Sequence, residues 1–157
     1  MVAMAAGVLL AGGLILAGCA GNDEPGHGPA DGEHMSAMQE PPEGAIRVGL
    51  RNWAVEPSVA SVRAGKVTFW AVHEMEPHPH DGGGEIHDLQ VLRKAADGSF
   101  ELVGEVRDLA MGEAAALALE LAPGEYELAC TVVEEVNGEA VSHYEKGMRT
   151  PFVVTPS

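Results

Sequence analysis

From residue 46 to residue 51, Ile46, Val48 and Leu50 alternate with Arg47, Gly49 and Arg51, the period of a strand with one face in a core. Pro57 ends that run. Residues 59–62 predict a short second strand stopped at Ala64-Gly65, and residues 66–73 a third with Val67, Phe69 and Ala71 on one face. Two prolines and three consecutive glycines make residues 74–85 a loop. A fourth strand follows with His87, Leu89 and Val91 on one side, and Asp97-Gly98 turns it into a fifth over residues 100–106. Tyr126, Leu128 and Cys130 share a face of another strand, and residues 152–154 form the last. Residues 113–120 are rich in Ala, Leu and Glu, good helix formers. They still predict a strand, because Leu117, Leu119 and Leu121 alternate, the run is short for a helix, and Pro123-Gly124 turns it directly into the next strand. About eight short strands at regular turn spacing predict an all-β fold, a two-sheet antiparallel sandwich.

The pattern is different before residue 45. Residues 20–44 are rich in Gly, Pro, Asp and Glu without apolar period, as a disordered tether is. Residues 8–16 are an apolar run ending in Leu16-Ala17-Gly18-Cys19, which resembles a bacterial lipobox. The resemblance implies a signal peptide over 1–18, a lipidated Cys19 heading a tether over 19–44, and a folded domain over 45–157. The protein would then be exported and held by acyl chains on the periplasmic side or at the cell surface. No Lys or Arg precedes Cys19, whereas a secretory leader is normally positive there. The alternative is a plain cleaved signal, or an anchor helix, with Cys19 incidental.

Charge narrows the partners. The 157 residues carry 24 acidic against 9 basic side chains, a formal charge of −15. Every charged residue lies after Cys19, which argues against nucleic acid and anionic membrane surfaces and for a basic protein partner. With Cys19 lipidated, Cys130 has no disulfide partner, and a lone thiol in an oxidising compartment is protected if a metal occupies it.

The candidate chemistry lies near the C-terminus. Cys130 closes an apolar strand and is followed by His143 and Met148, while His87 opens an earlier strand. A thiolate, two imidazoles and a weak thioether form a trigonal blue-copper donor set. Antiparallel neighbours bring the start of one strand to the end of another. Residues 144–147 predict a tight loop in which Gly147 adopts a backbone angle closed to other residues. Taken singly, Cys130 and Met148 are also ordinary core fillers and His143 an ordinary surface residue.

Residues 45–154 resemble the cupredoxin family, the small blue-copper proteins. The resemblance runs through Val67-Thr68-Phe69, His87-Asp88-Leu89, the Pro123-Gly124-Glu125-Tyr126 approach to Cys130, and the His143 to Met148 ending. It implies a Greek-key sandwich, one type 1 copper ion, and one-electron transfer. It also implies His87, Cys130 and His143 as ligands, with Met148 axial. Family members usually carry Asn after the first histidine, bracing the ligand loops. Here that residue is Asp88, expected to accept from Thr131 and, if ionised, to favour Cu(II). The spacer from Cys130 to His143 is longer than in most small members. It reads as a hairpin on an Asn137-Gly138 type I′ turn, projecting beside the copper end with Glu134, Glu135 and Glu139, either as an acidic docking surface or as a tolerated insertion.

Other soft or borderline donors suggest a rival function. His73, Met75, His78 and His80 would form a possible secondary, solvent-exposed metal site, or only a polar loop. His27, His34, Met35 and Met38 punctuate the tether. An exported, monomeric electron carrier serving a basic cytochrome or copper enzyme is the leading expectation. A copper chaperone or store using the exposed His and Met residues is the main alternative, and a metal-free sandwich for adhesion or assembly the third. No Ser/His/Asp set, phosphate loop or paired-acid arrangement supports an enzyme.

Overall fold

The alternation at the start of the domain becomes β1 (Ile46–Arg51), which turns through Trp53 into β2 (Ala54–Pro57). β3 (Ser61–Arg63), β4 (Gly65–His73), β5 (Ile86–Lys94) and β6 (Phe100–Ala110) follow, then β7 (Ala114–Leu121) and β8 (Gly124–Ala129). β9 (Val133–Val136) and β10 (Glu139–Ser142) form a hairpin, the turn α1 (His143–Lys146) comes next, and β11 (Arg149–Thr155) ends the chain. The computed structural model describes residues 40–75 and 86–157. The expected signal peptide, the expected tether with Cys19, His27, His34, Met35 and Met38, and the residues His78 and His80 lie outside the described residues.

Two sheets face each other, in the orders β2-β1-β4-β7 and β3-β11-β8-β5-β6, with the β9–β10 hairpin as a separate ribbon. The expected all-β sandwich is therefore observed, with two differences. Among the described residues eleven strands replace about eight, because β2 and the hairpin strands add to those read from alternation. Two pairings, β1 with β4 and β11 with β3, are parallel rather than antiparallel. The chain changes sheet after β2, β3, β4, β6 and β7, so sequence neighbours fall on opposite layers and these pairings are made by strands distant along the chain.

The core lies between the layers. Val48, Leu50, Val67, Phe69 and Ala71 face Leu89, Val91, Leu128, Phe152 and Val154, all buried. Phe69 and Phe152 meet edge to face across the sheets at 5.5 Å between ring centroids, the arrangement aromatic quadrupoles prefer. β7 is a strand despite its helix-forming residues, since all eight of its residues pair antiparallel with β4, from Ala114 opposite Val72 to Leu121 opposite Gly65. Tertiary pairing overrides local propensity there. At the following corner, Tyr126 buries its ring while its hydroxyl donates to the Ala122 carbonyl at 2.8 Å, tying the start of β8 to the turn.

Candidate metal centre

β5 and β8 are antiparallel neighbours, Gln90 opposite Ala129, so His87 near the start of β5 lies beside Cys130 just past the end of β8. β8 also pairs with β11, Arg149 opposite Ala129, which returns the chain to the same end. Backbone bonds then lock the connection: Cys130 N–H donates to the Met148 carbonyl at 2.9 Å, and Met148 N–H to the His143 carbonyl at 3.0 Å. His87, Cys130, His143 and Met148 are all fully buried. The sequence had placed them on separate elements, and the fold gathers them at one end of the sandwich.

Three donor atoms converge. His87 Nδ1 lies 3.2 Å from His143 Nδ1, and Cys130 Sγ lies 3.9 Å and 3.5 Å from those nitrogens. A trigonal ion with metal–nitrogen bonds of about 2.0 Å and metal–sulfur bonds of about 2.3 Å sets its ligand atoms roughly 3.5 to 3.7 Å apart. The observed separations straddle that range. A soft sulfur with two borderline nitrogens suits copper. His87 Nε2 is buried and has no hydrogen-bond partner among the described residues. A buried polar atom without a bond demands an explanation, and the ring's other nitrogen, Nδ1, faces His143 Nδ1 and Cys130 Sγ.

The electrostatics follow from burial. Burial first, then the neighbouring His73 and His143, hold His87 down at a pKa of about 3. Its imidazole is therefore neutral at neutral pH, as a metal ligand must be. Burial pushes the Cys130 thiol up, opposed by backbone N–H groups of Asp88 and Val132. The Asp88 N–H donates to Cys130 Sγ at 3.3 Å, so part of the stabilisation of a thiolate is built into the backbone. A metal binding here displaces the thiol proton.

Several residues take positions different from those expected. Asp88 does not brace Thr131, which is exposed; its Oδ1 accepts from the Asp108 N–H at 2.9 Å, so it ties β5 to the irregular register of β6. His73 is not on an exposed loop. It is 2% exposed, donates Nδ1–H to the Leu109 carbonyl at 2.9 Å, and packs its ring 4.2 Å from that of His87. Its period-two position with Val67, Phe69 and Ala71 aims it inward, and that signal was present in the sequence. The expected tight loop is a helical turn over His143–Lys146. Ser142 caps it by accepting from the Glu145 N–H at 3.3 Å, and Gly147 ends it at φ 118°, a conformation that favours glycine. The spacing Ser142-x-x-Glu145 is a capping-box pattern from which the turn was readable.

The hairpin has the expected turn, with Asn137 at φ 55° and Gly138 at φ 85°, as type I′ requires. It does more than project beside the site. Glu134 turns inward, and its Oε1 accepts from His143 Nε2–H at 3.0 Å. Trp53, held at φ 70° in the β1–β2 connection, meets the His143 ring edge to face at 5.4 Å. Neither contact was anticipated from sequence.

No protein-family model matches this chain, and no curated protein does. Among solved structures, it is similar to dithionite-reduced auracyanin from the photosynthetic bacterium Roseiflexus castenholzii, with a TM-score of 0.53 and 17% identity over 72% of this chain and 98% of that one. At that identity the likeness concerns the fold, and it agrees with the cupredoxin-like sandwich implied by the sequence.

Proposed function

We propose that the protein is an exported, lipid-anchored blue-copper protein that carries single electrons between redox partners. The observation that carries this reading is the convergence of His87 Nδ1, Cys130 Sγ and His143 Nδ1 within 3.9 Å in a fully buried pocket of a cupredoxin-like sandwich. When bound, copper supplies a Cu(II)/Cu(I) couple at a site of mixed soft and borderline donors. His87 and His143 would hold it through their Nδ1 nitrogens, Cys130 through its sulfur and Met148 through its thioether. Leu89 and Leu128, two residues from His87 and Cys130 on their strands, are fully buried in the core that includes Cys130 and Met148, which keeps this end of the sandwich dry. With four side chains engaged, no position is left for a substrate, so a carrier fits better than an enzyme.

Export and anchoring rest on residues 8–19. The partner is a basic redox protein, met through the acidic surface to which Glu135 and Glu139 on the hairpin contribute, with charge complementarity accelerating encounter. The alternative of an exposed copper chaperone loses one of its donors, because His73 is buried on a backbone carbonyl.

The test is the visible absorption and electron paramagnetic resonance of the full chain with one equivalent of Cu(II), beside Cys130→Ser. An intense thiolate-to-copper band with narrow hyperfine splitting, absent in the variant, is the expected result. A pale spectrum identical in both proteins overturns the reading.

A further inference from the structure

The β9–β10 hairpin is built the wrong way round for a simple surface ribbon. Alternation along β9 turns Glu134 and Val136 inward and leaves Val133 and Glu135 outward, with Val133 62% exposed. A hairpin selected for stability alone would bury the valine and expose the glutamate. Such a local inversion is expected where function sets the residue. The inward Glu134 reaches one atom that matters, His143 Nε2, at 3.0 Å, with its own side chain only 21% exposed.

The register explains the precision. Val141 lies opposite Glu134 and Ser142 opposite Val133, while the His143 N–H donates to the Val132 carbonyl at 3.0 Å. The hairpin thus begins and ends on the backbone that carries His143, and the carboxylate returns to the outer edge of that ring. Trp53 closes the same ring from another side.

We propose that Glu134 is a positioning residue for His143, selecting the tautomer that binds copper and biasing the site towards Cu(II). The inference rests on the copper reading above. A carboxylate only accepts, so the proton must sit on Nε2, which leaves the Nδ1 lone pair facing Cys130 and His87. Carboxylate partners of this kind orient ligating histidines and raise their basicity. The added negative charge lies behind the ring in a partly buried setting, where it favours the more highly charged ion.

The experiment compares the full wild-type chain with Glu134→Gln and Glu134→Ala. Gln is nearly isosteric and keeps an acceptor while removing the charge, whereas Ala removes both. In the metal-free proteins, nitrogen NMR of His143 is expected to find the proton on Nε2 in wild type and Glu134→Gln, and a mixture of tautomers in Glu134→Ala. In the copper-loaded proteins, the ratio of Cu(II) to Cu(I) affinity falls roughly ten-fold in both variants, a rise of about 59 mV in potential for one electron. A ratio within two-fold of wild type in both variants overturns the inference. If the wild-type chain lacks the thiolate-to-copper band, the copper reading falls and this inference with it. An intact band with unmoved variants overturns this inference alone.

Discussion

The two histidines of the cluster lie 3.2 Å apart through their Nδ1 atoms, yet the protein holds their far sides in opposite ways. His87 is set into the sandwich, its ring packed on His73 and its Nε2 without a partner among the described residues. His143 is set into a ribbon and a helical turn, its Nε2 taken by a carboxylate that retains some exposure. The inner wall is part of the hydrophobic core, so disturbing it should cost folding energy. The outer wall is appended to that core, so disturbing it should alter the donor cluster more than the fold. The same donor type can thus serve as a structural fixture on one side and an adjustable one on the other.

Acid should expose the inner wall most strongly. His87 is held at about 3 in the fold against an ordinary value of 6.5. Between those values the unfolded chain binds more protons, so the stabilisation associated with neutral His87 is complete above pH 6.5 and declines as the pH falls towards 3. The slope from this one group is at most about 1.4 kcal/mol per pH unit. Urea titrations of the metal-free chain at pH 7, 5.5 and 4.5 should follow it, and His87→Asn should flatten the decline relative to wild type. Equal pH dependence in the two proteins would mean that burial of His87 is energetically idle.

A smaller effect should come from His73→Ala, which removes a ring packed on His87 and leaves the Leu109 carbonyl without its donor. A loss of about 2 to 3 kcal/mol is expected from denaturation of the metal-free chain. A loss below about 0.5 kcal/mol would place His73 outside the cooperative core.

The outer wall should respond least in stability. Gly138→Ala forces an alanine into φ 85° at the hairpin turn, a cost of about 1 kcal/mol. Hydrogen exchange should accelerate at β9 and β10 while β4, β5 and β8 keep their protection. If exchange accelerates equally in both sheets, the ribbon is cooperative with the sandwich and the contrast between the walls disappears.

Much of this was legible in the sequence because each donor sits where a strand pattern begins or ends. His87 opens one alternation and Cys130 closes another, and pairing of β5 with β8 brings them together. Asn137-Gly138 specified its turn by chemistry, since both residues tolerate positive φ. The strand β2 was missed because four residues after a Trp in a left-handed conformation give too short an alternation to count. His73 carries two conflicting signals in the sequence: its proximity to His78 and His80 suggests a polar loop, while its place two residues after Ala71 puts it on the core face of β4. Glu134 was indistinguishable by composition among 24 acidic residues. Only the inverted order of Val133 and Glu134 marked it, and that inversion acquires meaning once the hairpin's orientation is known.

The backbone bonds from Cys130 to Met148 and from Met148 to His143 define a closed clasp whose two jaws are the residues on either side of the spacer. Val132, whose carbonyl accepts from the His143 N–H, and Glu134, which reaches His143 Nε2, stay tied to that clasp, while the far end of the hairpin hangs outside it like a pendant on a buckle. The tip of the hairpin, around Asn137-Gly138, is therefore the variable part of the architecture: it can be shortened or extended while the jaws still meet and Glu134 still reaches His143. A lineage can reshape what surrounds the outer histidine without rebuilding the sandwich that holds the inner one.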